Sequence, residues 1–341
     1  MKKVVFILSI VLAFILTVGF YGGDAAAKSD TKVIKWRLAG GTPPNDIAYE
    51  GTVEFCKNVK ERSNGRLVIT PYPANQLCKA KDNFQATKKG MVEAMYSPGS
   101  YWSGILPEAN WETGLPYTTL ERSEEIALMY DYGLLDLLRE AYAEHNMYYL
   151  VPSPTGQRGF MSNKPLRTIE DFKGLKARCT GPEADLLREL GGSPVFMTGG
   201  EIYTALELNT LDAASWTMMA WTHMNWHEVA EYYCLPRTAN MVVALVLNMD
   251  AWEALPQDLK SIVEWSARDW ILYNASHYRE IEAAQENAMD PKRMVTLSKA
   301  DQAKAQQAAF KVWDKIAAMG PRNAKAVEII KTYLKKIGRI K

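Results

Sequence analysis

The sequence predicts an α/β chain of two lobes, with one long helix lying across both. Three observations carry this. Short apolar and β-branched runs alternate with helical periods from residue 33 to residue 216. The chain left after an export-type N-terminal segment is 341 − 27 = 314 residues long, more than one hydrophobic core usually serves. Beyond Pro256, no glycine or proline interrupts the chain until Pro291, and such a run would reach about 50 Å as a helix at 1.5 Å per residue.

At the start, Lys2 and Lys3 precede an apolar run from Val4 to about Phe20, and Ala25-Ala26-Ala27 offers the small residues that a signal peptidase reads. Residues 1–27 are therefore expected to be a signal peptide, with the mature chain starting near Lys28 in the periplasm. An uncleaved anchor is the alternative, and the run is slightly short for a span of roughly 20 residues. No cysteine follows the run until Cys56, which argues against a lipoprotein. Removing Lys2, Lys3 and Asp24 takes the basic residues from 40 to 38 and the acidic ones from 39 to 38, so the formal charge is zero. A balanced chain gives no electrostatic reason to expect nucleic acid or an anionic membrane surface as partner.

The elements follow in order. Residues 33–39 read as a strand and 45–62 as a helix stopped by Asn64-Gly65. A strand begins at Val68, a loop is marked by Pro73 and Asn75, and a helix follows near 81–89. Next come a strand at 92–97, an acidic-capped helix near 121–145 and a strand at 148–151. A second block repeats this alternation, with extended residues 156–162, a turn at Pro165, strand 174–179, helix 183–190, strand 193–197, helix 200–208 and strand 211–216. In the long helix Leu259, Ile262, Val263, Trp270 and Ile271 form an apolar stripe. Ser298 with Asp301 resembles a cap for another helix, which Gly320-Pro321 ends.

The motifs of catalysis are missing. There is no G-x-S-x-G elbow, phosphate loop or G-x-G-x-x-G fingerprint. His223 and His227 share a helix face but lack a third ligand, so no metal is expected, and no pair of carboxylates stands out as acid and base. The informative residues are arginines. Gly156-Gln157-Arg158-Gly159 opens an extended stretch, and Arg178 ends the strand Gly174-Leu175-Lys176-Ala177-Arg178. Open α/β sheets bind ligands at the carboxyl ends of their strands, and a guanidinium there can hold a carboxylate or sulfonate through two parallel hydrogen bonds. A solvated surface arginine is the plainer alternative.

The segment Asn163-Lys164-Pro165-Leu166-Arg167-Thr168-Ile169-Glu170-Asp171-Phe172-Lys173-Gly174-Leu175-Lys176-Ala177-Arg178 closely resembles the signature of the periplasmic solute-binding subunits of tripartite ATP-independent periplasmic (TRAP) transporters, the DctP-like family. Glu61 to Leu67, Tyr72 to Leu77, Lys89 to Ala94, Leu190 to Pro194, Glu201 to Glu207 and Trp252 to Pro256 resemble it in the same order. The resemblance implies a two-lobed periplasmic binding protein fold with hinge strands. Lobe I is then 28–155 plus about 244–283, and lobe II is 156–243 plus about 284–341 with the C-terminal helices. It also implies capture of a small organic anion for the membrane subunits of a TRAP transporter, with no enzymatic step and no cofactor. Arg178 is the expected anion ligand, helped by Arg158, with Gln157, Ser215 and Trp216 beside them. A periplasmic enzyme, or a binding protein serving a sensor or an ATP-driven permease, are the competing readings.

One position departs from the pattern. Relatives that bind 2-oxo acids or lactate with a cation resemble one another in carrying Glu-Trp where this chain has Ser215-Trp216. The missing carboxylate implies an anion bound without a metal, and Trp216 is expected to wall the ligand. Cys56 and Cys78 both fall in the first lobe, so any disulfide is expected there, with Cys179 and Cys234 left as thiols. The protein is expected to act as a monomer.

Overall fold

Sixteen consecutive residues of a single strand, Met147–Ser162, tie the two halves of the molecule together. The computed structural model describes residues 32–341, so the segment read as a signal peptide lies outside the described residues. The chain runs β1 (Ile34–Gly40), α1 (Ile47–Arg62), β2 (Leu67–Tyr72), α2 (Asn83–Lys88), β3 (Ala94–Ser97), α3 (Ala109–Glu112), α4 (Arg122–Tyr130), α5 (Leu134–Ala143) and β4 (Met147–Ser162). It continues with β5 (Lys176–Arg178), α6 (Pro182–Glu189), β6 (Ser193–Val195), α7 (Gly199–Glu207), β7 (Ala213–Thr217), α8 (Ala220–His223), β8 (Tyr232–Leu235) and β9 (Asn240–Asn248). Last come α9 (Met249–Glu253), α10 (Gln257–Ala288), β10 (Met294–Thr296), α11 (Lys299–Ala317) and α12 (Pro321–Lys336).

The strand order is β2-β1-β3-β9-β4-β7-β5-β6, with β8 joining β4 to β10. From Met147 to Gln157, β4 pairs antiparallel with β9. From Arg158 to Ser162 it pairs instead with β7, and from Phe160 also with β8. The change of partner between Gln157 and Arg158 is the passage from lobe I to lobe II. The 148–151 and 156–162 runs are thus one strand. Its register shifts twice, between Tyr149 and Val151 and between Pro154 and Gly156, the second beside a proline that has no ladder donor.

The long helix α10 buries Leu259, Val263, Trp270 and Ile271, while Ile262 stays half-exposed. Asn274 donates to Ser153 Oγ at 2.9 Å, and a Cβ on Gly51 of α1 would overlap the Asn274 carbonyl oxygen. Farther along, Glu282 binds Arg122 of α4 at 2.8 Å and Glu286 binds Arg237, just before β9. Gly156 lies against this network: a Cβ there would come within 2.4 Å of Glu282 Oε1. One helix therefore braces both lobes at the crossing.

Two expectations need correction, the single helix over 121–145 and the pairing of Cys56 with Cys78. The helix expected over 121–145 is two helices, because Gly133 takes a left-handed φ of 84° between them. The last helix, α12, packs on α11 and reaches the helices of the first half as well. Its Asn323 accepts from Trp111 Nε1 at 3.0 Å and its Arg322 pairs with Glu108, so it packs on α3 and the lobe I helices. The cysteines are all free thiols. Cys56 is buried on α1, whereas Cys78 donates to Asn83 Oδ1 at 3.1 Å and packs near Ala39 and Val92.

Candidate functional site

Arg178 closes β5, a short strand between β6 and β7. Lys176 points to solvent and Arg178, two residues on, is only 3 % exposed. The backbone then turns sharply at Gly181, whose φ is 56°, and Pro182 starts α6. A side chain at Gly181 would be strained and would press on Ser100 from lobe I. The Arg178 guanidinium is aimed by two carbonyls: Nε donates to Met197 O at 2.9 Å and Nη1 to Ser215 O at 3.1 Å. Its carbon lies 4.7 Å from the centre of the Trp216 ring. Burial pulls Arg178 below the usual arginine range, while neighbouring Tyr101 and Glu183 oppose the shift.

Arg158, 2 % exposed, enters from β4 at the residue where that strand changes partner. Nη2 donates to Gly114 O at 3.1 Å, and Nη1 stands 3.7 Å from Glu183 Oε2. Nε and Nη1 have no hydrogen-bond partner among the described residues. A buried charged donor left without an acceptor costs a few kcal/mol, so such a pair of N–H groups marks a place for an anion. The hydroxyl of Tyr101 is also buried and unpartnered, and burial pushes its pKa up against the pull of Arg178.

The remaining expected residues separate. On β7, Ser215 and Trp216 face opposite sides. Ser215 gives its carbonyl to Arg178 and its hydroxyl to Glu183. Trp216 is buried under Arg178, and its indole N–H donates to Asp46 Oδ2 at 3.3 Å. Asp46 in turn accepts from Tyr278 at 2.8 Å, and burial raises its carboxyl above the usual range. Gln157 turns to the hinge: its amide donates to Leu120 O and accepts from Arg237 at 3.4 Å. His223 ends α8 beside Thr222, and His227 lies in a separate short turn bonded to Trp221 O at 2.6 Å, so the shared helix face expected for the two is not formed.

The sequence by itself does not single out Glu183, Asp46, Tyr101 or Thr238. Glu183 is 1 % exposed and accepts from Thr238 Oγ1 at 2.6 Å as well as from Ser215. In sequence it reads as an acidic residue suited to the first turn of a helix, and Asp46 as an N-cap. The only signal is the five-residue separation of Glu183 from Arg178 across a Gly-Pro turn.

Asp46 and Tyr101 belong to lobe I, and Trp216 and Arg178 to lobe II, so the lobes meet over the arginines. Asn45 Nδ2 also donates to His223 O at 3.2 Å, and Tyr101 packs edge-on to Phe196 at 5.6 Å.

Residues 38–319 match the family model described as bacterial extracellular solute-binding protein, family 7. The monocarboxylate 2-oxoacid-binding periplasmic protein of a Nostoc strain is 26 % identical over 310 residues, covering 89 % of this chain and 85 % of that one. A TRAP periplasmic solute-binding protein from Colwellia psychrerythraea, solved with calcium and pyruvate, superposes with a TM-score of 0.82 at 28 % identity, over 90 % of this chain and 96 % of that one. One from Pseudoalteromonas atlantica, with sodium and pyruvate, gives 0.81 at 28 % identity over 90 % and 95 %. With the two-lobed fold, these likenesses place the chain in the DctP family of TRAP periplasmic solute-binding proteins, which serve transport and are not enzymes.

Proposed function

We propose that this protein captures a small organic carboxylate between its lobes and delivers it to the membrane subunits of a TRAP transporter. The observation that carries the reading is the fully buried Arg158, with two unpartnered N–H groups, beside a second buried guanidinium aimed by two carbonyls. Two such groups, one of them at the carboxyl end of β5, suit an oxyanion. The pyruvate-bound relatives agree with this class.

The two pyruvate-bound relatives hold a cation. The residues here do not fit one. Ser215 supplies no carboxylate, and both oxygens of Glu183 are engaged by Ser215 and Thr238, with the Arg158 guanidinium alongside. We therefore infer binding that needs no metal. The central test is calorimetry of wild type and R178A with pyruvate, lactate, succinate, glucuronate and taurine. At least one carboxylate should bind the wild type, and R178A should lose roughly 100-fold or more. Equal affinity in a folded R178A would remove the reading.

A further inference from the structure

We propose that Glu183 sets the charge of the ligand: it cancels one of the two cleft guanidinium charges, so that the site takes a monocarboxylate and rejects dicarboxylates. This rests on the carboxylate reading above and deepens it. Two arginines alone would suit a dianion. The structure adds a third charge that changes the sum. Glu183 lies 3.7 Å from Arg158 and is 1 % exposed.

Glu183 cannot swing aside. One oxygen accepts from Thr238, just ahead of β9, and the other from Ser215 on β7, while its own backbone belongs to α6. Three separate elements thus fix the carboxylate. An acidic residue that merely favours a helix N-terminus does so from solvent and needs no such partners. The next carboxyl within reach of Arg158 is Glu125, sealed by Thr119 at 2.7 Å and pushed up by burial to about 7. Below that pH it stays protonated and does not enter the charge balance.

Buried charges are tolerated when they are matched. Two guanidinium groups and the Glu183 carboxylate leave one positive charge, which one ligand carboxylate satisfies. A second carboxylate on the ligand would be buried with no counter-charge. Its repulsion from Glu183 would add to that cost.

The test is calorimetry with pyruvate and butyrate against malonate and succinate, on wild type, R178A and E183Q. Glutamine keeps the size, and it can accept from one of the Thr238 and Ser215 hydroxyls through its oxygen and donate to the other through its amide. Wild type should favour the monocarboxylates at least tenfold, about 1.4 kcal/mol, and E183Q should narrow that ratio at least tenfold. A wild type favouring dicarboxylates, or an E183Q protein with wild-type melting and an unchanged ratio, overturns the proposal. If E183Q does not fold, the wild-type ratio decides alone. Arg178-dependent binding with no preference for one charge overturns this inference and leaves the carboxylate reading standing. A wild type that binds none of the four, nor lactate or glucuronate, overturns both.

Discussion

The guanidinium of Arg178 lies 4.7 Å from the centre of the Trp216 ring, and that ring reaches across the cleft to Asp46 through its N–H. The residue expected to wall the ligand thus supports the residue expected to bind it. A lysine could not replace this arginine, because it has neither the planar face that lies on the indole nor the fork that meets Met197 O and Ser215 O. R178K should therefore bind the ligand nearly as poorly as R178A in calorimetry. Affinity within about threefold of wild type would show that charge alone suffices.

The Trp216–Asp46 bond joins the lobes, so its loss should act on closure. W216F keeps a ring under Arg178 and removes one buried hydrogen bond, worth about 1 kcal/mol. Affinity should fall roughly fivefold, mainly through faster dissociation in stopped-flow traces. An unchanged dissociation rate would mean that the contact does not report on closure.

Metal dependence can be checked directly. Chelator-treated protein should bind its carboxylate with the same affinity with and without added sodium or calcium. A tenfold gain from either ion, about 1.4 kcal/mol of coupling, would show that some other group takes the place of the missing carboxylate.

All four cysteines should be alkylated after denaturation without reductant. In the native protein Cys78 alone should react quickly, because Cys56, Cys179 and Cys234 are buried and their thiols are pushed up, that of Cys234 to about 12. A Cys56–Cys78 peptide in the mass map would restore the disulfide.

Buried Glu112 accepts from Tyr142 at 2.6 Å, and burial raises it from 4.5 to about 8. A carboxyl raised in this way stays protonated in the folded state while the unfolded chain ionises. Its stabilising effect is full below about 4.5 and is lost as the pH climbs to about 8. E112Q cannot ionise, so its melting temperature should gain on wild type between pH 5 and pH 8. Parallel profiles would contradict this assignment.

Much of this is legible in the sequence, and the gaps have physical causes. The strands of the second block and the place of Arg178 follow from alternation and the Gly-Pro turn. The single strand β4 reads as two because Pro152, Pro154 and Gly156 are breakers in isolation, and here they are held extended by pairing with β9 alone, the one-sided position in which a strand tolerates proline. β9, with Met241-Val242-Val243-Ala244-Leu245-Val246-Leu247, is buried throughout, so it shows no period-two pattern by which a strand would be recognised. Glu183 and Asp46 gain their meaning from partners 25 to 232 positions away, which no local pattern reports.

The unbroken run of β4 also limits how this molecule can be rearranged. Since one backbone supplies ladder bonds to β9 and then to β7 and β8, neither lobe owns a complete sheet. A cut at Gln157 would leave each half with a raw edge, prone to pair with another chain. Exchanging a lobe with a relative would have to respect that shared strand and the passage of α10 as well. Recombination at this joint is therefore expected to yield aggregates, while ligand preference can still drift freely through single substitutions around the arginines.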